Sequence, residues 1–506
     1  MTRFCLCGRP LSLSVAHRPS RRGFLCRALA SVAAASLLPS FLTLPTVAQE
    51  AAPPLGIGDA GRRTLIRGGH ILSLDRGIGD LTGDVLIEGK KILEVAASID
   101  APEAVVIDAA GRVVMPGFID THHHQFETAL RSFLPNGILF HDPTREGEPT
   151  YESDILGKFS KVYRPEDVHI AQLFGGLSQL DAGVTTVLDV SQVHHSPRHS
   201  EALIDGLREA GRRAVFGYFE AYGDKVDYPK DARRLRETFF ASDDQLLTML
   251  MGGEVYVPGV DPLLLWNMAK ELDLPIGLHV VGGPIIREIM EKLIPHYTDK
   301  HLFIHMTEMS DAVWDRASET GAHVSLSVPI EMQMRHGMPP IQKAIDMGMN
   351  PSLSSDVEVT MTADFFTQMR STITLQRALA NQRALDAGME KAPALLDARK
   401  VLEFATINGA KGLKLDHKTG SLTPGKEADI IILDATALNV APLNNAAGAV
   451  VTLMERSNVE TVLVAGHIRK WKGTLIGHDI AALRDRITAS RDYLFEATKT
   501  AIPLYR

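Results

Sequence analysis

An apolar run ends abruptly in imidazoles at Val113-Val114-Met115-Pro116-Gly117-Phe118-Ile119-Asp120-Thr121-His122-His123-His124. On a β-strand, side chains two residues apart share a face, so His122 and His124 point into one pocket while His123 points away. Two imidazoles on a rigid strand end make half a metal site. Polar residues recur at or just beyond the ends of later apolar runs, at Asp189, Glu220, Glu254, His279, His305, Glu331 and Asp356. Each alone could be a packed or solvated bystander. Brought to one rim, they would supply the other half of that metal site.

The elements that must position them are strands alternating with helices. Strand-like runs fall at 113–119, 185–190, 213–219, 246–251, 275–281, 302–306, 323–328 and 351–355, with helix-like segments between. That alternation describes a parallel α/β fold. Eight such strands argue for a closed (β/α)8 TIM barrel over 116–415 rather than an open sheet, and barrel active sites sit at the carboxyl ends of the strands. Short alternating runs with turn signals flank the middle at 62–115 and 416–475, and are expected to be antiparallel and to close into one small composite β-sandwich. Residues 476–506 form a helical extension that could cover the barrel or a partner subunit.

The 506 residues, 45% hydrophobic with a formal charge of -8, describe a soluble globule of one large domain and a satellite. Nothing is basic enough for nucleic acid. Ser20-Arg21-Arg22-Gly23-Phe24-Leu25-Cys26 precedes an Ala-rich apolar stretch, and Thr46-Val47-Ala48 offers small residues for cleavage. Residues 1–48 therefore read as a twin-arginine export signal, with a linker at 49–61 and a periplasmic or secreted mature protein free of the membrane. An uncleaved anchor is the alternative. The cysteines Cys5, Cys7 and Cys26 all lie in this leader. The mature chain then has neither disulfides nor thiolates, and any metal is held by His and carboxylates.

These motifs resemble the amidohydrolase superfamily, and more closely its cytosine deaminase and chlorohydrolase-type branch. The resemblance covers about 62–475. Besides the histidine run, it is carried by Asp181-Ala182-Gly183-Val184-Thr185-Thr186, Gly277-Leu278-His279-Val280, Phe303-Ile304-His305-Met306, Ser354-Ser355-Asp356 and Gly420-Ser421-Leu422-Thr423-Pro424-Gly425-Lys426-Glu427-Ala428-Asp429. It implies one divalent metal ion bound by His122, His124, His279 and Asp356, zinc first, with iron or manganese compatible with the same ligands. It implies Asp356 as base, and His305 polarising the group under attack. Family habit implies a small-molecule substrate and a homo-oligomer.

The chain departs from that pattern in two places. Deaminases of this branch carry His-x-x-Glu on the fifth strand, whereas His279-Val280-Val281-Gly282 lacks the carboxylate. Glu331, as a catalytic group, or Glu308 could supply one from another strand, and Gln125, Glu308 and His305 are expected at the substrate. The fourth strand has no lysine to bridge two metals, which favours a single ion, although Glu254 could bridge a second. His141, His194, His195 and His199 are expected on loops, solvated or facing the substrate. Aromatic residues of the first loop, Phe126, Phe133, Phe140, Tyr151 and Tyr163, would suit a flat substrate or pack among themselves. The expected enzyme is a hydrolase of a non-peptide C–N bond in a cyclic or linear amide, urea or carbamate-like group. Its rivals are a deaminase or dechlorinase of a heteroaromatic ring, and a non-catalytic periplasmic binding protein on the same scaffold.

Overall fold

A computed structural model of the protein describes residues 52–505 except 223–225, 227, 258–259 and 389–393. The export signal expected at 1–48 lies outside the described residues. The N-terminal flank supplies β1 (Arg63–Leu72), β2 (Asp80–Glu88), β3 (Lys91–Ala96), β4 (Val105–Asp108) and β5 (Arg112–Pro116). The middle supplies β6 (Phe118–His123), β7 (Val184–Ser191), β8 (Arg213–Tyr218), β9 (Leu247–Gly252), β10 (Ile276–His279), β11 (His301–Ile304), β12 (His323–Leu326) and β13 (Ser352–Leu353). The C-terminal flank adds β14 (Ile430–Asp434), β15 (Val459–Val464), β16 (His467–Trp471) and β17 (Thr474–Leu475).

The flanks meet in one nine-stranded sheet, ordered β17-β16-β15-β14-β5-β1-β2-β3 with β4 beside β1. Antiparallel pairing of β14 with β5, from Ile430 opposite Pro116 to Asp434 opposite Arg112, joins the two ends of the chain. The unit expected to be antiparallel is mixed, because β1 pairs in parallel with both β4 and β5. Its side chains Ile66, Ile71, Val85, Ile107, Val114, Ile430, Ile432 and Leu463 enclose a core of their own.

The second sheet holds β6 to β13 in sequence order, the eight-stranded parallel barrel. Every residue of β7 and β8 is buried, as strands covered on both faces must be. Four intervening helices, Pro165–Asp181, Pro197–Glu209, Pro262–Glu271 and Pro284–Leu293, open on a proline. The missing N–H costs nothing there, because the first turn has no acceptor for it. The seam between β13 and β6 is tied by main chain: Asp356 N–H donates to His122 O at 2.9 Å, and His124 N–H donates to Asp356 O at 2.8 Å.

The run expected as one strand at 113–119 is two strands. Gly117 carries the chain from the mixed sheet into the barrel, donating its N–H to Asp429 O at 3.0 Å. A Cβ on Gly117 would stand 2.2 Å from the Thr185 side chain of β7, so only glycine fits the crossing. Arg213 then locks the two sheets together. It donates to Asp429 Oδ2 at 2.8 Å and Glu427 Oε2 at 2.7 Å, with all three side chains buried. The helix Ile480–Ala497 buries Leu483, Ile487, Leu494 and Phe495. Phe495 packs on Phe133 and Phe159 of the long loop after β6. Among the described residues no helix is long and apolar enough to cross a membrane.

Candidate metal centre

The carboxyl ends of β6, β10 and β11 and the segment after β13 aim four imidazoles and a carboxylate at one buried space. Asp356 Oδ1 lies 3.1 Å from His122 Nε2 and 3.6 Å from His124 Nε2, and its Oδ2 lies 3.5 Å from His305 Nε2. His279 Nε2 stands 3.3 Å from His124 Nε2. His123 turns away, its Nδ1 at 2.9 Å from Asp356 O, as alternation along a strand requires. Asp356, His305 and Met306 hold positive φ angles of 59°, 70° and 51°. Non-glycine residues in that region are strained, and such strain concentrates where a side chain must be aimed.

Two carboxylates fix the rings from behind. Glu254 Oε1 accepts from His279 Nδ1 at 2.5 Å, and Glu331 Oε1 accepts from His305 Nδ1 at 3.1 Å and from Ser327 N–H at 2.8 Å. A proton committed at Nδ1 leaves Nε2 as a bare lone pair facing the centre. Burial pulls the Asp356 carboxyl upward, but the attraction of His122, His305 and His124 in their protonated forms, together with the His122 hydrogen bond, holds it well below the usual range. For Glu331, burial pushes the carboxyl well up. Burial lowers His122 to about 3 and His305 to about 4, so both are neutral at pH 7.

This donor set fits a divalent cation. His124 Nε2 and His279 Nε2 meet at 3.3 Å beside the Asp356 carboxylate, so imidazole nitrogens and a carboxylate oxygen lie within reach of one cation. Two triads, His122 with His124 and Asp356, and His122 with His279 and His305, each bring their ligating atoms within 4.8 Å of one another. His279 and Asp356, read from separate strand ends, thus arrive at His122 and His124.

Other expected residues stand elsewhere. Gln125 does not face the centre: the turn Gln125–Leu130 swings its side chain back, where it donates to Gln172 O and accepts from Arg212. Glu254 is spent on orienting His279 rather than free to bridge a second ion. His194 is buried and bonded to Ser200 Oγ and Ser191 O, and His195 and His199 reach the Ser160 and Tyr163 carbonyls, so these three are structural rather than solvated. His141 is exposed. Tyr151 is buried near His124 and donates to the buried Glu127 at 2.6 Å, whereas Phe140 is exposed. Glu220 accepts from Gln192 and Tyr256, both at 2.7 Å.

One neighbour of the centre was not singled out in the sequence. His336 is 5% exposed, its ring packs edge-on to His305 at 4.8 Å, and neither of its nitrogens has a hydrogen-bond partner. The one signal for it is the turn chemistry of Arg335-His336-Gly337-Met338-Pro339-Pro340 directly after the seventh strand's helix.

A closed parallel barrel with His and Asp at its carboxyl rim, carried beside a sheet built from both chain ends, defines the class of barrel metal-dependent hydrolases. The amidohydrolase family model matches residues 113–469, and the chain belongs to that family. It is accordingly a hydrolase acting on carbon–nitrogen bonds other than peptide bonds. The chain is 25% identical to a 5-methylthioadenosine/S-adenosylhomocysteine deaminase of Caldicellulosiruptor saccharolyticus over 460 residues, 86% of this chain and 99% of that protein. It is 26% identical to a 5'-deoxyadenosine deaminase of Methanococcoides burtonii over 428 residues, 79% of this chain and 91% of that one. Among solved structures, an adenosine deaminase from Xanthomonas campestris with bound zinc shares the fold at a TM-score of 0.72 and 21% identity, over 86% of this chain and 99% of that one. A mutant atrazine chlorohydrolase from Arthrobacter aurescens, complexed with zinc and atraton, does so at 0.71 and 20%, over 85% of this chain and 100% of that one.

Proposed function

We propose that this centre hydrolyses the C–N bond of a cyclic or linear amide, urea or carbamate-like small molecule, using one divalent ion, zinc first, held by His122, His124, His279 and Asp356. The observation that carries the proposal is the convergence of the His122, His124 and His279 ring nitrogens beside Asp356. When bound, the ion supplies Lewis acidity and brings the pKa of a water it holds towards neutrality. Asp356 is the group that takes a proton. Its Oδ2 has no hydrogen-bond partner and lies 3.5 Å from His305 Nε2, so a proton can be held between the two before it passes to the departing nitrogen. Glu331 keeps His305 aimed for that transfer. The centre's side chains are largely buried, so each charge acts at closer to full strength than it would in water.

A second reading, deamination of an amino-heterocycle, is favoured by one feature. The fifth strand has Gly282 where a carboxylate was expected, and a Cβ there would meet Glu308 Oε2 at 2.7 Å. An exposed carboxylate from the segment after β11 thus lies beside Gly282, three residues beyond β10, and supports this reading. In this reading Glu308 carries the proton to a ring nitrogen. The names of the curated relatives, deaminases of adenosine derivatives, point the same way.

The test is tightly held metal and turnover on the mature protein, wild type beside Asp356→Asn, against cyclic amides, carbamates and aminated heterocycles. Turnover lower by about 10²- to 10⁴-fold in the variant is expected. Unchanged turnover in Asp356→Asn would overturn the assignment, and the compounds that respond decide between the two readings. The twin-arginine segment adds the proposal that the enzyme works outside the cytoplasm. Cell fractionation of the Arg21→Lys, Arg22→Lys double variant tests it, with retention in the cytoplasm expected.

A further inference from the structure

The two oxygens of Asp356 face different histidines. Oδ1 is approached by His122 and His124, at 3.1 and 3.6 Å, while Oδ2 faces His305 at 3.5 Å and has no hydrogen-bond partner. His305 is built as a metal ligand is built, with its Nδ1 proton given to a carboxylate so that Nε2 presents a lone pair. The same construction holds His279 through Glu254 on the other side of the centre.

His336 completes a second group. One ligating atom from each of His305, His336 and Asp356 lies within 4.8 Å of the other two. The His336 ring is 95% buried, yet both of its nitrogens lack partners, a costly state for an imidazole unless something other than protein occupies the gap. It is held there by its main chain, since Thr307 Oγ1 donates to His336 O, and by the left-handed turn at Arg335 and Gly337. With its Nδ1 proton given to Glu331, His305 sets Nε2 beside Asp356 Oδ2 at 3.5 Å, two lone-pair bearers that repel until a cation sits between them.

We propose that His305, His336 and Asp356 Oδ2 form a second divalent-cation site, bridged to the first through Asp356. It rests on the proposed centre only through that shared carboxylate. Two imidazoles and one carboxylate oxygen suit zinc, manganese or cobalt, with water filling the remaining positions. The second ion binds more weakly than the first, having three protein ligands to the first site's four and a carboxylate already shared. Its occupancy takes Nε2 of His305 out of proton transfer, so excess metal inhibits the hydrolase.

The experiment is equilibrium dialysis of the mature protein against increasing zinc, with wild type beside His336→Asn, His305→Asn and His124→Asn. Two equivalents are expected in wild type at saturation. His336→Asn and His305→Asn should stop at one tightly held equivalent, whereas His124→Asn should lose the tight one. Saturation of wild type at one equivalent, or a second equivalent that survives in His336→Asn, overturns the second site. One tight equivalent in wild type that is lost in His124→Asn, with no second equivalent at any zinc concentration, would leave the first centre standing without the second, so the two assignments fail separately. Where a variant does not fold, manganese-loaded wild type decides. Two ions sharing one carboxylate give an exchange-coupled electron paramagnetic resonance spectrum, and the six-line signal of isolated manganese alone would overturn the proposal.

Discussion

The ring of His279 and the carboxylate of Glu254 are joined three times: Nδ1 reaches Oε1 at 2.5 Å, and the main-chain N–H of His279 reaches the two oxygens at 3.2 and 3.0 Å. One carboxylate thereby sets both the position of the strand end and the tautomer of the ring upon it. Burial drives the Glu254 carboxyl up to about 7 even against the pull of His279, so the contact is held by geometry as much as by charge. Glu254→Gln keeps the shape but weakens the acceptor. It should reduce affinity for the tightly held ion by about 10- to 100-fold, the usual cost of losing such a partner. Chelator competition with zinc measures it, and affinity within about twofold of wild type would show that Glu254 does not orient the ligand.

Arg213 answers to two carboxylates at once, Glu427 and Asp429, from a position 1% exposed. Removing it strands both anions in the contact between barrel and mixed sheet, although Lys90 and Lys91 stay within 3.8 and 3.6 Å of Glu427. Arg213→Met should therefore cost about 3–5 kcal/mol of stability. Adding Glu427→Gln and Asp429→Asn should recover part of the loss, since the buried charge goes with them. Urea unfolding checks both. A single variant within about 1 kcal/mol of wild type would mean that the pairing does not hold the sheets together.

Gly117→Ala places a methyl 2.2 Å from Thr185 at the one point where the chain leaves the mixed sheet for β6. Strand β6 carries His122, so strain there acts on the centre directly. Overpacking of this kind costs about 1–3 kcal/mol, and the variant should melt lower and release zinc faster than wild type. A variant with wild-type melting and zinc retention would show that the crossing has room that the packing does not suggest.

What could be read in the sequence, and what could not, follows one physical boundary. His122, His124, His279, His305 and Asp356 each end an apolar run, and in a parallel barrel the end of a run is the rim, so their meeting was legible without any contact being known. Partners across strands were not. Nothing in the spacing joins Glu254 to His279, or Glu331 to His305, because those pairs depend on neighbouring strand ends coming level. Gln125 shows the limit most plainly: alternation predicts a side chain's face only while the strand lasts, and the helical turn beginning at that residue points it to Gln172 and Arg212 instead. His336 escaped because it lies in a segment with neither period. The single run at 113–119 hid a change of sheet, since an apolar strand looks the same whichever sheet it joins.

His194 should make stability depend on pH. It is fully buried, bonded to Ser200 and to the Ser191 carbonyl, and burial lowers it to about 3, with the Ser191 bond opposing and His195 and His199 adding to the fall. In the unfolded chain the same ring titrates near about 6.5. Between those values the unfolded state binds a proton that the folded state refuses, so stability rises with pH across this window. The contribution is complete above about 6.5 and is lost as the pH falls towards 3, at up to about 1.4 kcal/mol per pH unit. His194→Gln removes that proton. The variant should be less stable at pH 7.5, having lost a packed ring, yet its unfolding midpoint in urea should fall less steeply than that of wild type between pH 6.5 and 5. Parallel slopes for the two proteins would show that His194 takes no part in the acid response.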